Sequence, residues 1–433
     1  MKPKFNAYST TNATYGNFYE DIKAKVKDDQ ERHKRLSNQY QNSYQDIETK
    51  FLNNYKNYNY YHKKAGFNTT TINNASLNFI RARTPNLLLK DSSIVGNFSS
   101  SLTGLMNLGN TCYINTCLQI LIHCTPFISK FLEMSNKMFQ KKIRPSPISD
   151  AFYELLIQIY ENNNQIDYID PNIFVEKMTS LHRHFYGNQQ HDAQEFCRFL
   201  LQDFNCELNE VENPSSYRKE IAYNKDKRQM FINYKNDCLS KENSFITDLF
   251  IGYFSFEYTC ECGFKEYSFS QFLDLPVQMD PGFHRFDLLQ MLKNTFKKKS
   301  IVDMAENCAV CNRTSHKTEM MRIASLPQIL IISLQRINPD NGKKNHSPVN
   351  FTESMDLTQI IDTDISDNYS SIYNLFAVTN HVGEINTGHY FSYIKIGNTW
   401  FCFEDIRVYK IGPHIDLTSK EIYTLFYMRS NYY

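Results

Sequence analysis

The sequence predicts an α+β chain, and three observations carry that prediction. Apolar residues recur at helical spacing from Leu102 to about Asn209, strand-like alternation runs from about Phe245 to the end, and a lysine-rich connector lies between them. A run of helices followed by a run of strands is the α+β pattern, whereas repeated strand–helix units would point to a parallel sheet. At 433 residues, 41% of them hydrophobic, the chain can bury a sizeable core in two or three structural units. No repeat is evident at periods of about 20–50 residues.

Residues 1–100 differ from the rest. They are rich in Asn, Tyr, Lys and Ser, as in NNYKNYNYYHKK, and hold none of the 11 cysteines. This composition reads as a polar extension with a disordered linker. Within it, residues 17–57 fit one long polar helix. Ile22 and Val26, Leu36 and Tyr40, and Ile47 and Phe51 form partial seams, interrupted by Asp29 and His33. Partner docking and a plain solvated helix are both readings of that stretch. The opening MKPKFNAYSTTN has no apolar core, so a signal peptide is not expected. No apolar run reaches the roughly 18–20 residues that would span a bilayer.

Lys+Arg is 47 and Asp+Glu 46, a net charge of +1, which argues against a nucleic acid or an anionic membrane as the defining partner. The odd cysteine count, in a chain too long to need disulfide staples, points to a reducing compartment, cytoplasm or nucleus. It also makes metal ligands and a reactive thiol the readings to test.

The first such thiol is Cys112, in GLMNLGNTCYINTCLQIL (104–121). Ile114, Leu118, Leu121 and Ile122 predict a helix with one buried face, beginning near Cys112 after the turn Gly109-Asn110-Thr111. Thr111 is the expected cap. A thiol in the first helical turn gains from unpaired N–H groups and the positive dipole end, which favour the thiolate. Asn107 and the Cys112 N–H are candidate donors to an oxyanion. A buried structural cysteine is the competing reading. Cys117, Cys124, Cys197, Cys206, Cys238 and Cys402 have no partner at ligand spacing and read as core residues.

A nucleophilic thiol needs a base, commonly His held by a third group. In the C-terminal stretch, Leu375–Thr379, 390–396 and 399–403 are strand-like, the last two joined by Gly397-Asn398. His389 opens a strand directly after Gly388, and Glu404 and Asp405 end the neighbouring strand within reach of its ring. His381 is the competing histidine, and either could be purely structural. Cys260 and Cys262 form one cysteine pair and Cys308 and Cys311 another. Four thiolates on two short hairpins are a usual set for structural Zn²⁺, although the first pair, C-x-C, is one residue tighter than usual.

Several of these segments resemble the ubiquitin-specific proteases, deubiquitinating cysteine proteases with a papain-like core. The 104–121 segment is similar to that family's cysteine box, and NTGHYFSYIK (386–395) with WFCFEDIRV (400–408) to its histidine box. QHDAQEFCRFLLQD (190–203) resembles its glutamine–aspartate box. SFITDLFIGYFSFEYTCECG (244–263) resembles the start of the fingers, and LPQILIISLQRI (326–337) a palm strand. The resemblance runs from about Leu102 to Met428, in the family's order.

It implies a papain-like hand over 101–431: a helical thumb at about 102–210, zinc-ribbon-like β fingers at about 245–325 and a β palm at about 326–429. It implies that Cys112 attacks the carbonyl of the isopeptide bond after ubiquitin's C-terminal glycine, with His389 as base and then acid, and Asn107 at the oxyanion position. Gln190, Asp192 and Glu195, with Gly388 and Tyr390, would bind the ubiquitin tail, whose arginines suit carboxylates. The chain departs from the family at Glu404, where Asp or Asn is usual, leaving open whether Glu404 or Asp405 orients His389. It also departs at Ser333 and Gln335, where His and Lys are frequent, a change expected to affect packing only. The partners implied are ubiquitin and ubiquitinated proteins. A scaffold that binds ubiquitin with weakened turnover, and a protease for a ubiquitin-like modifier, are the rival readings.

Overall fold

A computed structural model describes residues 101–430, apart from 142–146, 163–164, 186–188, 212–225, 280–283, 298, 302–307, 313–316, 338–341, 366–369 and 385–386. The polar extension, with the helix expected at 17–57, lies outside the described residues.

The chain enters through a two-residue strand, β1 (Gly104–Leu105), and passes into α1 (Cys112–Ile122), α2 (Thr125–Lys141) and α3 (Pro147–Asn162). Strand β2 (Tyr168–Ile169) pairs in parallel with β1, and α4 (Asn172–Leu181) and α5 (Ala193–Glu207) follow. Phenylalanines hold this helical half together. Phe131 meets Phe152 at 5.0 Å and Phe204 at 5.5 Å, and Phe127 meets Phe245 at 5.7 Å, all near edge-on or tilted. Such pairs contribute about 0.5–1.5 kcal/mol each beyond the burial of their area.

Helix α1 differs from expectation. Every residue from Cys112 to Ile122 is buried, rather than one face. Its neighbours explain this, since α1 packs against α2 and α5 on one side and against a large sheet on the other. A helix with partners all round needs no solvent face.

The connector also differs. Within the stretch read as linker, α6 (Lys227–Leu239) forms, capped by the Asp226 carboxylate on the Gln229 N–H. Met230, Phe231 and Tyr234 are buried in a satellite core with Tyr253 and Phe269. Most other positions of the helix are polar, with Arg228, Gln229, Asn233 and Asn236 exposed, so few apolar residues marked its buried face in the sequence. Helix α7 (Phe245–Phe250) carries a capping box between Ser244 and Thr247.

Two main sheets follow. The first takes β3 (Gly252–Cys260), β4 (Lys265–Phe272), β7 (Lys299–Ile301) and β8 (Lys317–Ser325) in the order β4-β3-β8-β7. Between its strands the chain contributes β5 (Leu275–Gln278), which leaves for the other sheet, then β6 (Phe286–Asp287) and helix α8 (Leu288–Thr295). The second sheet is built from β9 (Ile329–Gln335), β12 (Ile372–Val382), β13 (His389–Ile396), β14 (Thr399–Glu404), β15 (Arg407–Gly412) and β17 (Ile422–Arg429). Its order is β15-β14-β13-β12-β17-β9-β5, with β11 (Ser354–Asp356) beside β12. Strand β10 (Val349–Asn350) pairs with β16 (Thr418–Ser419) on one side and with β6 on the other. Sequence-distant strands thus lie side by side, and α1 rests on β13, the strand that begins with His389.

Ser333 does more than pack. Its hydroxyl donates to buried Asp274 at 2.6 Å, and Asp274 also accepts from Gln194 of α5 at 2.8 Å and pairs with Arg198 at 3.3 Å. The carboxylate therefore ties α5 to the large sheet.

Candidate functional site

Cys112 is the first residue of α1. The helix's own ladder begins with the Ile114 and Asn115 N–H groups on the Thr111 carbonyl, so the Cys112 and Tyr113 N–H groups precede it. Thr111 does not cap the helix as expected. Its hydroxyl instead accepts from the Leu108 N–H at 2.8 Å and donates to Asn107 Oδ1 at 3.3 Å, closing the turn behind it. The Asn107 carbonyl oxygen also accepts from the Gly109 and Thr111 N–H groups at 3.0 and 3.2 Å. That leaves the Asn107 amide nitrogen facing outward.

The thiol's electrostatics also depart from the expectation. Burial pushes the Cys112 pKa up, and the negative charge of Asp405 adds to this; N–H groups of Tyr390, Tyr113 and Cys112 pull it down without compensating. The resting group is the thiol, and it needs a base.

The opposing wall is the start of β13. The Tyr390 N–H points at Cys112 Sγ at 3.5 Å, so His389 enters the strand beside the thiol. Ser392 pairs with Phe403 in register, which puts Glu404 opposite Phe391 and on the His389 face. His389 Nε2 and Glu404 Oε1 lie 3.4 Å apart, both half-exposed. This leaves Nδ1 of the ring uncommitted.

Asp405 faces elsewhere. Its Oδ2 accepts from Asn107 Nδ2 at 2.8 Å and its Oδ1 from Asn115 Nδ2 at 2.8 Å. Asn115, buried on α1, also donates to the carbonyls of Leu105 and Met106. Asp405 holds a φ of +52° in the two-residue turn between β14 and β15, and its carbonyl accepts from the Leu105 N–H at 2.9 Å. The approach is close enough that a Cβ on Gly104 would sit 2.6 Å from the Ile406 carbonyl oxygen. The two adjacent acids thus divide, Glu404 toward the imidazole and Asp405 toward Asn107 and Asn115.

His381, the competing histidine, is 3% exposed, and its Nδ1 meets the Lys344 ammonium at 2.8 Å. Burial and that neighbouring charge push it down to about 4, so the ring is neutral and its Nδ1 is committed to Lys344. It abuts Gly388, where a Cβ would lie 1.9 Å from His381 Nε2. Only glycine fits there.

The remaining predicted positions lie at the start of α5 and at the start of β13. Gln190 donates to the Gly388 carbonyl at 2.5 Å and accepts from the Gly388 N–H at 2.7 Å, bridging the cleft. Asp192 caps α5 on the Gln194 and Glu195 N–H groups and accepts from the Tyr423 hydroxyl. Burial pushes its pKa up, and those donors hold it down. Its carboxylate is committed to the fold, whereas Glu195 is exposed. Tyr390 is buried and stacks on His381 at 4.3 Å. Asn115 was not singled out by the sequence reading; its signal is a carboxamide three residues after Cys112, on the same helix.

Away from the cleft, the Sγ atoms of Cys260, Cys262, Cys308 and Cys311 all lie within 4.8 Å of one another. Cys260 and Cys311 approach to 3.8 Å, and Cys262 and Cys308 to 3.6 Å. The tight pair is accommodated by a turn in which the Gly263 N–H bonds the Cys260 carbonyl at 2.9 Å; a matching bond joins the Asn312 N–H to Cys308 at 2.8 Å. This set can hold a metal ion. Of the six cysteines read as core residues, Cys117, Cys124, Cys197 and Cys402 are buried, while Cys206 and Cys238 are only half-buried, so the core reading holds less well for those two.

Comparison with known proteins agrees with this geometry. The family model described as ubiquitin carboxyl-terminal hydrolase matches residues 103–427. Chicken (Gallus gallus) ubiquitin carboxyl-terminal hydrolase 2 is 31% identical over 342 residues, covering 75% of this chain and 93% of that protein. The human (Homo sapiens) protein of that name is 29% identical over 347 residues, and the match covers 76% of this chain but 55% of it. Among solved structures, the SAGA Ubp8/Sgf11/Sus1/Sgf73 DUB module bound to ubiquitin aldehyde superposes with a TM-score of 0.61 at 23% identity, covering 84% of this chain and 77% of that one. With a family model spanning most of the described residues, and the thiol, imidazole and carboxamide brought to one cleft, this chain belongs to the ubiquitin carboxyl-terminal hydrolase family.

Proposed function

We propose that the chain is a deubiquitinating thiol hydrolase that cleaves the bond after ubiquitin's C-terminal glycine. The observation that carries the reading is the meeting of the α1 start with the β13 start, where the Tyr390 N–H reaches Cys112 Sγ at 3.5 Å beside His389.

In this reading His389 Nδ1 takes the proton of the Cys112 thiol while Nε2–H faces Glu404, which favours the imidazolium that forms. The thiolate adds to the glycine carbonyl. The oxyanion is met by the Cys112 N–H and by the second N–H of the Asn107 amide, whose first is held by Asp405. The imidazolium then protonates the leaving lysine amine, and water hydrolyses the thioester with His389 again as base. Asp405 serves this step by aiming Asn107, and Glu404 by orienting the ring.

The tail would enter on the β12 side. An extended glycine segment there replaces the bonds between Gln190 and Gly388 with its own backbone groups, and Glu195 supplies the exposed carboxylate for a tail arginine. Asp192 supports the wall through Tyr423. In the family's terms, the helical half is the thumb, the β4-β3-β8-β7 sheet the fingers and the large sheet the palm. The four thiolates suit Zn²⁺, because tetrahedral coordination at about 2.3 Å spaces sulfurs by about 3.8 Å, near the 3.6 and 3.8 Å seen here. Such a site would fasten the finger tip and takes no part in the chemistry.

The test is a ubiquitin derivative carrying a C-terminal electrophile. One covalent adduct is expected, lost in Cys112→Ala; an adduct that survives that substitution refutes the assignment. Turnover of a fluorogenic ubiquitin amide by the natural chain would exclude the weakened-scaffold reading, and a panel of modifier-based probes separates ubiquitin from its relatives.

A further inference from the structure

Lys344 is 7% exposed and forms no ion pair with a carboxylate among the described residues. Its Nζ has three acceptors: His381 Nδ1 at 2.8 Å, the His381 carbonyl at 2.9 Å and the Gly383 carbonyl at 2.8 Å. Three N–H bonds of an ammonium match three acceptors. These belong to the end of β12 and to Gly383 just beyond it. Gly383 in turn lies against Gly388: a Cβ on Gly383 would lie 2.9 Å from the Thr387 carbonyl oxygen and 3.0 Å from Gly388 Cα. The His381 ring, held by Lys344 on one nitrogen, presses its other nitrogen toward Gly388. Both routes from Lys344 therefore end at Gly388, the residue that Gln190 grips and His389 follows.

We propose that Lys344 is a positioning residue of the hydrolase, holding His381 and Gly383 against Gly388 so that Gly388 presents its backbone to the ubiquitin tail. The proposal rests on the deubiquitinase reading for its substrate. Lys344 makes no contact with the reacting atoms and acts through His381 and Gly383.

The charged and titratable groups around Lys344 are Arg336 after β9, His381 on β12, His346 on its own segment, Glu384 in the turn and Glu421 before β17, with Tyr390 and Tyr423 beyond the His381 ring. Burial, and then Arg336, push the ammonium down to about 8. Below that pH three donors serve three acceptors; above it a neutral amine has two. The hold on His381 and Gly383 should weaken as pH rises through about 8.

The experiment measures KM and kcat for a fluorogenic ubiquitin amide from pH 7 to 9 in the natural chain, Lys344→Met and Lys344→Arg, alongside alkylation of Cys112 by iodoacetamide at pH 7. The natural chain should show KM rising on the alkaline side. Lys344→Met should show KM raised about tenfold at pH 7 and level thereafter, for the loss of buried charged hydrogen bonds. Its kcat should stay within about threefold and its alkylation rate unchanged, because the thiol's own surroundings are intact. Lys344→Arg should keep KM low and lose the alkaline rise, since guanidinium does not titrate in this range. A pH-independent KM in the natural chain overturns the proposal, even if neither variant folds. So does a fall of kcat and alkylation together in Lys344→Met, which would mark general damage. No turnover by the natural chain at any pH overturns the hydrolase reading and this proposal with it.

Discussion

Cys112 and the cysteines at 260, 262, 308 and 311 are the same side chain in two opposite settings. Cys112 stands at a helix start, outside the group of metal-binding side chains found among the described residues, and burial keeps it protonated. The four distal thiols converge to within 4.8 Å on two turns. One setting makes an acid that a neighbouring base must discharge, the other a set of thiolates that a cation would neutralise. The reactivity of a cysteine here is decided by what surrounds its sulfur.

The largest expected effect separates the two settings. Cys112→Ala should lower turnover of a ubiquitin amide by about 10⁴-fold or more while leaving bound metal, measured by atomic emission, unchanged. Metal loss in that variant would mean the sites are coupled. Next come the groups that handle the oxyanion. Asn107→Ala should lower kcat by about 10²–10³-fold. Asp405→Ala should follow it closely if the carboxylate acts through Asn107, and adding Asp405→Ala to Asn107→Ala should then lower kcat little further.

A smaller effect is expected at Glu404, because the imidazole remains without it. Glu404→Gln should reduce kcat by about 10–100-fold, since the ring loses the carboxylate that orients it. A kcat within about threefold of the natural chain's would remove Glu404 from this role. Cys308→Ser should abolish metal binding and lower the melting temperature, yet alter turnover only a few-fold. The mildest test concerns the resting thiol. Because the Cys112 pKa is raised, its thiolate fraction at pH 7 falls below that of a free cysteine and grows with pH. Iodoacetamide should therefore react with Cys112 more slowly than with glutathione at pH 7, the rate climbing through pH 9.

Much of the site was legible because its chemistry is carried by short segments. The turn before Cys112, the glycine before His389 and the Glu404-Asp405 hairpin end are each local patterns, and the two cysteine pairs announce themselves by spacing. Other features were not legible. Asn115 and Lys344 act on groups up to 290 positions away in sequence. Helix α6 was masked by its polar composition, since three buried residues, Met230, Phe231 and Tyr234, are all that mark its core face. The hub at Asp274 depends on α5, β5 and β9 meeting, which no local period encodes.

The sequence by itself determined the α+β order, the helix that begins at Cys112, the strand that begins at His389 and the paired cysteines, because spacing and turn chemistry act over a few residues. Only the tertiary structure decided that α1 is buried on every side, that Asp192 is a cap, that Cys112 rests as a thiol, and that Glu404 and Asp405 face different partners. Burial, register and long-range hydrogen bonds set these properties, and they exist only once β13 and β14 lie against the helix.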